Sequence, residues 1–461
     1  MRGLKPFLHY PLAGRIKNNQ FIHCNDEGIP FVEARVLDCT LSDVLNNPIP
    51  GELNKFMPFE LDDITNSLPL GVQLNIFQCG GFAIGQCISH KIADGLSYFM
   101  FSKIWAAIAR GDQANINPPE FVSSTLFPPK EFNIGFDGSV GITKDRVTKR
   151  FVFDASQIEN LRERYEQSMH NMKKRPTRVE TLSTFLWSRF VAATKDSTLN
   201  KLYMVIHAVN LRPRFDPPLP QSFFGNLFCS AMTAPLRIPS SGGGDEECGH
   251  GMVIPVVREA ISNIDNEYVK KLQKQGDEHL GVMKKLADSF KRGEKAILLS
   301  FSSYCRFPLY DNDFGWGRPT WVGSPSLTYK NLVLFMDTKE GGGTEAYVSL
   351  EEEVMAKFEC DSELLSYVAP TRRVTSFKHF QNAVVQGWKP LVFEEPVLPN
   401  ATNLYSIDVV VAFQEKLRRL SGQVRCNLKL PLSFNGTSWN SCQTTKCSEV
   451  FYYWGFSFRS L

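Results

Sequence analysis

The sequence predicts an α/β protein of two domains with mixed sheets, and three observations carry that expectation. Its 461 residues exceed the length over which one hydrophobic core usually keeps growing. Runs rich in β-branched and aromatic residues come in pairs joined by short glycine turns, as at "VQLNIFQCGGFAIGQCIS" (72–89) and "NLVLFMDTKEGGGTEAYVSL" (331–350). Such pairs mark antiparallel hairpins and argue against an all-parallel sheet. Between them lie segments whose apolar residues recur at helical spacing.

Taken in chain order, the first hairpin turns at Cys79-Gly80-Gly81. In its second run Phe82, Ile84 and Ile88 share one face, while the small residues Ala83, Gly85, Cys87 and Ser89 share the other. That small face suits an opening or a closely packed neighbour. In "GLSYFMFSKIWAAIARG" (95–111), Leu96, Phe99, Met100, Ile104, Ala107 and Ile108 define a helix with Gly111 as its stop. Residues 112–147, rich in Pro, Gly and Ser and without periodicity, read as a crossover linker.

A strand at "TKRFVFD" (148–154) leads into a helix containing Ile158 and Leu161. A second helix, "RVETLSTFLWSRFVAAT" (178–194), has Val179, Leu182, Leu186 and Phe190 on one face, and the strand "LYMVIHAVN" (202–210) follows. The glycine-rich 240–251 reads as a surface loop, and the polar 263–293 as a solvated amphipathic helix. Beyond Thr371 the helical segment is "DVVVAFQEKLRRL" (408–420), and nothing ties the stretch to the core. The division expected is therefore 1–111 as a first domain, 112–147 as linker, 148–370 as a second domain, and 371–461 as an unassigned extension.

Composition excludes several function classes. Lys+Arg 51 against Asp+Glu 48 leaves +3 with no long basic run, so neither nucleic acid nor an anionic membrane is an expected partner. The first residues are too interrupted for a signal peptide, and no stretch approaches the ~18 apolar residues of a membrane span. A cytoplasmic protein is expected. Eleven cysteines without CxxC pairs suit reduced thiols better than disulfides or zinc. The glycosylation-like Asn400 and Asn435 then read as chance matches.

"SHKIADG" (89–95) places His90 where a strand ends and Asp94 where a helix begins. With 8 histidines in the chain, about half an HxxxD is expected by chance, so the pattern needs support. A lone histidine at a strand end is most often a hydrogen-bonded structural residue. An aspartate in this place is ordinarily a helix cap worth about 1 kcal/mol. Read as metal ligands, the two lack a third partner and fit no common spacing. Ser89 as a nucleophile would project away from His90 on a strand.

A second motif, "DFGWG" (313–317), supplies the support. The ordered pair HxxxDG and DFGWG resembles the BAHD family of plant coenzyme-A-dependent acyltransferases. "FLHYPLAGRI" (7–16), "DEGIPFVEARV" (26–36), "TRVETLSTFLW" (177–187), "VNLRPR" (209–214) and "FFGNLF" (223–228) resemble it too, over about Leu8 to Pro370. "CNDEGIPFVEARV" and "SHKIADG" are most similar to the vinorine synthase-like branch, which mostly acetylates alcohols of specialised metabolites. The resemblance implies a two-domain chloramphenicol acetyltransferase-like fold with the active-site tunnel between the domains. Family members carry several tens of residues ahead of the "FLHYPLAGRI" segment and usually stop near "LLSYVAP". The resemblance therefore implies a chain that starts inside a helix and ends with an unmatched tail.

It further implies His90 as the general base that takes the proton of an attacking alcohol, with a histidine pKa near 6.5 suited to the task. Asp94 would hold the site's geometry by pairing with an arginine. Ser302 and Tyr304 of "LSFSSYCRFPLYDNDFGWG" are candidate donors to the thioester oxyanion; a plain strand with a serine pair is the alternative. Tyr304 stands where some hydroxycinnamoyl-transferring relatives have Trp. Arg178, ahead of a helix, is a candidate for the coenzyme A phosphates by position. Asp313, Gly315, Trp316 and Gly317 are expected to form a structural loop, with Asp313 in a buried pair with an arginine such as Arg212. The expected protein is a monomer without a permanent cofactor or metal that moves an acetyl group from acetyl-CoA to a hydroxyl of a small molecule. The alternatives are transfer to an amine, transfer of a hydroxycinnamoyl or benzoyl group, or a truncated, inactive product.

Overall fold

The computed structural model describes residues 11–17, 21–25, 27–59, 67–112, 116–128, 145–168, 174–195, 202–237, 250–274, 296–369, 384–385 and 406–413. Expected features at 129–144, 240–249 and 275–293 lie outside these residues.

The described strands are β1 (Arg15–Lys17), β2 (Phe21–His23), β3 (Phe31–Val36), β4 (Leu70–Phe77), β5 (Phe82–Ser89), β6 (Arg146–Phe153), β7 (Leu202–Asn210) and β8 (Phe228–Met232). β9 (Leu236–Arg237), β10 (Ala296–Ser303), β11 (Trp321–Gly323), β12 (Leu332–Asp337), β13 (Thr344–Glu351), β14 (Val384–Val385) and β15 (Ser406–Phe413) complete them. The helices are α1 (Leu41–Asn46), α2 (Pro50–Leu53), α3 (Gly95–Ala109), α4 (Ser123–Leu126), α5 (Ala155–Ser168), α6 (Arg178–Thr194), α7 (His250–Ser262), α8 (Asn266–Lys274), α9 (Glu352–Phe358) and α10 (Ser362–Tyr367).

Two large sheets organise the chain, one in the order β11-β15-β5-β4-β3-β14 and the other β6-β13-β12-β10-β7-β8, with β9 also on β7. Both are mixed: β3 runs parallel to β4, and β10 parallel to β7 and β12, while the hairpin partners are antiparallel. The α/β class with mixed sheets is therefore observed. The glycine turns act as read: Gly80 lies at φ +89° in the β4–β5 turn, and Gly341 and Gly342 at +77° and +78° in the β12–β13 turn.

The two faces of β5 feed two cores. Phe82, Ile84 and Ile88 join a cluster that also contains Leu334, Met336 and Tyr347 of the second sheet, so this core lies between the sheets. Ala83 and Cys87 pack instead with Phe56, Phe77 and Trp321. The small face of β5 has a close neighbour and not an opening: a Cβ on Gly85 would stand 2.0 Å from the Phe56 carbonyl oxygen. On the far side of the second sheet, α5, α6, α7, α9 and α10 bury Leu161, Phe185, Leu186, Phe190, Val253 and Phe358 against its inner strands.

The stretch beyond 370 departs from expectation. Of residues 408–420, expected to be helical, 408–413 instead belong to β15, which lies between β5 and β11, and 414–420 lie outside the described residues; Val384–Val385 pairs with β3. The Val409-Val410-Val411 run favours a pleated, buried strand once a sheet edge receives it.

Candidate active site

β5 ends at Ser89, a one-turn reversal follows with the Ile92 amide donating to the Ser89 carbonyl at 3.0 Å, and α3 begins at Gly95. Asp94 is the cap of α3: its Oδ1 accepts from the Ser97 amide at 2.8 Å. Asp94 is thus the expected cap, and it also makes the pairing with an arginine that the resemblance implies. Its Oδ2 accepts from Arg212 Nη1 at 2.7 Å and from the Leu227 amide at 3.0 Å, and Arg212 Nη2 reaches Oδ1 at 3.2 Å. Arg212 is 1% exposed and Asp94 6%, so the pair is fully withdrawn from water.

Burial by itself would raise the Asp94 carboxyl. The Arg212 guanidinium and the Ser97 and Leu227 amides outweigh it and hold the pKa below the ordinary carboxylate range. Arg212 meanwhile donates through Nε and Nη2 to the Phe223 carbonyl at 3.0 and 2.7 Å, and Nη2 donates to Ser97 Oγ at 2.9 Å. Ser97 Oγ in turn donates to the Gly225 carbonyl at 2.9 Å and accepts from the Gly225 amide at 3.0 Å. Loop 223–227 is thus pinned to the start of α3. Gly225 makes the turn at φ +139°, where a Cβ would meet Ser123 Oγ at 2.0 Å.

That pinned loop delivers Asn226 to His90. Asn226 Nδ2 donates to the His90 carbonyl at 2.7 Å, and Oδ1 faces His90 Nδ1 at 3.0 Å. Because the amide nitrogen is committed to the carbonyl, the atom opposite Nδ1 is an acceptor. Nδ1 therefore carries the ring proton and Nε2 is left as the basic atom. The ring also meets Phe228, with centroids 5.4 Å apart. His90 as a whole is half-buried. Desolvation pulls its pKa below 6.5 against the opposing pull of its own backbone, Asp94 and Asn226, which favours the neutral ring.

Ser302 stands on β10 opposite Leu334 in register, and Leu334 belongs to the core between the sheets. By strand alternation Ser302 is on the face turned toward that core, since its neighbour Phe301 lies in the helix-side cluster. Tyr304 packs on α3: its ring is 5.4 Å from Phe99, and a Cβ on Gly95 would stand 2.4 Å from Tyr304 Cε1. The glycine after Asp94 is thus the space in which Tyr304 sits. Arg178 goes elsewhere, forming an ion pair with Asp337 and donating to the Gly343 carbonyl at 3.3 Å at the β12–β13 turn.

The expected Asp313–Arg212 pair does not form. Arg212 is consumed by Asp94, and Asp313 Oδ1 accepts from its own loop, the amides of Gly315 at 2.8 Å and Gly317 at 3.0 Å. Those glycines lie at φ +102° and +106°, and the loop presents Trp316, stacked on Phe314 at 5.2 Å and edge-on to Phe82 at 5.7 Å. Arg110, the residue that closes α3, donates through Nη1 to the Asp313 carbonyl at 2.7 Å. "DFGWG" is therefore a self-capped loop that seats an aromatic wedge against β5. Asn226 is the residue that motif reasoning passed over, although it stands in the quoted "FFGNLF". Among the described residues no group of three His, Cys, Asp or Glu could hold a metal ion, and no helix is long and apolar enough to cross a membrane.

A family model described as "Transferase family" matches residues 7–365. The chain is 37% identical to stemmadenine O-acetyltransferase of Catharanthus roseus over 361 residues, 76% of this chain and 80% of that protein. Among solved structures, vinorine synthase superposes with a TM-score of 0.63 at 32% identity, covering 79% of this chain and 82% of that one. F. sporotrichioides TRI101, complexed with coenzyme A and T-2, shares the fold at 17% identity, with a TM-score of 0.57 over 80% of this chain and 88% of that one.

Proposed function

The chain belongs to the BAHD family of acyl-CoA-dependent acyltransferases, in its vinorine synthase-like branch, and from that premise we propose that His90 is the general base of an O-acetyl transfer from acetyl-CoA. The enzyme is an acyl-CoA-dependent O-acyltransferase whose acceptors are hydroxyls of plant specialised metabolites. The observation that carries the role of His90 is its pair of hydrogen bonds with Asn226, one through the ring Nδ1 and one through the backbone carbonyl, which leaves Nε2 as the basic atom of a ring whose burial favours its neutral form.

In the proposed step the acceptor hydroxyl gives its proton to His90 Nε2 as its oxygen forms the new bond to the thioester carbonyl carbon. The C–S bond then breaks, and the imidazolium returns the proton to the coenzyme A sulfur, so the ring ends as it began. Asp94 takes no part in proton transfer, since both its oxygens are occupied by Arg212 and backbone amides; its role is to hold the β5–α3 junction. Ser302 and Tyr304 are proposed donors to the developing oxyanion. Arg178 is spoken for by Asp337, which weakens its candidacy as a phosphate ligand. The reading extends to a monomer in the cytosol.

The test is coenzyme A release from acetyl-CoA with a panel of alkaloid and terpenoid alcohols. His90→Ala should lower turnover of an accepted alcohol by about 10²- to 10⁴-fold with its melting curve unchanged. Turnover retained by that variant overturns the assignment.

A further inference from the structure

The family match ends at residue 365, yet the sheet that carries His90 contains chain from well beyond that point. β15 pairs antiparallel with β5 along its whole length, from Ser406 opposite Ser89 to Phe413 opposite Phe82. Its other edge pairs with β11, Trp321 opposite Ala412 and Gly323 opposite Val410. β5 and β11 thus lie two strand spacings apart, about 10 Å, a slot one strand wide.

Three observations mark β15 as an integral strand. Its two sides feed different cores: Val411 packs in the cluster between the sheets and Val410 in the cluster with Phe56, Phe77 and Trp321, each 1% exposed. It connects the two halves of the molecule, because β11 follows the "DFGWG" loop and is tied to β13 by Trp321 Nε1 donating to Glu345 Oε1 at 3.0 Å. Finally, its first residue stands opposite Ser89, the residue before His90, so the pairing reaches the end of the strand that presents the histidine. A bare β5 edge would leave a row of backbone donors and acceptors unpaired in a buried place.

We propose that residues 406–413 are a working part of this acyltransferase fold, the strand that fills the slot between the His90-bearing strand and β11 and joins the two halves. The proposal is independent of which alcohol the enzyme uses and of the proton-transfer role given to His90.

Hydrogen exchange on the full-length chain tests it directly. Amides of 406–413 should exchange as slowly as those of 82–89; exchange at the rate of an unstructured peptide in 406–413 beside a protected 82–89 overturns the proposal. A second measurement uses register. Asp408 stands opposite Cys87, and facing residues of an antiparallel pair have Cα atoms about 4.5–5.5 Å apart, within disulfide range. Mild oxidation of folded Asp408→Cys should give a Cys87–residue 408 crosslink by peptide mass mapping, lost in Cys87→Ser; a folded variant without it sinks the idea. Val411→Pro removes one ladder hydrogen bond from a strand paired on both sides. It should lower the melting temperature and speed exchange in 82–89 by tenfold or more, and unchanged values count against the strand.

Discussion

Arg212 Nη1 lies 2.7 Å from Asp94 Oδ2, a fully buried ion pair that joins residues 118 apart in sequence and ties loop 223–227 to the helix that follows His90. Removing one partner of such a pair leaves the other charged and unpaired, which typically costs about 3–5 kcal/mol. Arg212→Ala is expected to lower unfolding free energy on that scale in denaturant titrations. Arg212→Lys should rescue little, because an ammonium cannot reproduce the fork that reaches Asp94, Phe223 and Ser97 at once.

The same pair sets an acid limit on stability. The Asp94 pKa in the folded chain is depressed, so its contribution is present above the unfolded value near 3.9 and is lost as pH falls through the lower folded value. Melting temperature against pH should therefore fall more steeply below pH ~4 for the native chain than for Asp94→Asn. Equal slopes would remove Asp94 from the balance.

Asn226 is expected to matter through His90 alone. Asn226→Ala leaves the ring free to change tautomer and loses two hydrogen bonds, and the expected result is a kcat lower by about tenfold or more with KM little changed. The acid limb of kcat/KM should lie below pH 6.5, following the lowered His90 pKa. Asn226→Asp should move that limb upward, since a carboxylate beside the ring favours its charged form. A limb that does not move separates Asn226 from the base.

Gly95→Ala places a methyl 2.4 Å from Tyr304 Cε1. Overpacking of this kind costs about 1–3 kcal/mol. Combined with Tyr304→Ala, the loss should be less than the sum of the single losses, because Tyr304→Ala removes the ring that the added methyl meets. A strictly additive cycle would mean that the two do not touch in solution.

Asp313 is expected to behave as a loop cap and not as half of a buried ion pair. Asp313→Ala loses two amide hydrogen bonds on a partly exposed residue and should cost about 1–2 kcal/mol, while Asp313→Asn, which keeps an acceptor, should cost less. A loss as large as that of Arg212→Ala would return Asp313 to the buried-pair role.

Much of this was open to reading in one dimension. The alternation of large and small residues along 82–89 anticipated two differently packed faces, and the glycine clusters anticipated their turns, because strand period and positive φ are local properties of the chain. The cap at Asp94 was visible for the same reason: its first partner, Ser97, is three residues away. Choosing a partner for Arg212 was not local. Asp94 and Asp313 were equally plausible by type, and the answer depended on which one the fold carried into the 223–227 loop.

The sequence by itself determined the α/β class, the hairpins and the helices at 95–109 and 178–194, and the histidine and aspartate at a strand-to-helix junction, which rest on spacing and composition over short ranges, while the family was legible through the resemblance of its ordered motifs. Tertiary structure decided the rest. It gave Arg212 to Asp94, turned Asp313 onto its own loop, and brought Asn226 from 136 residues away to set the tautomer of His90. It also made a strand of 406–413, because the valine run acquires its conformation from the two strand edges it satisfies. Long-range pairings of this kind depend on which buried donors and acceptors meet, and that is a property of the folded arrangement and not of any window of the chain.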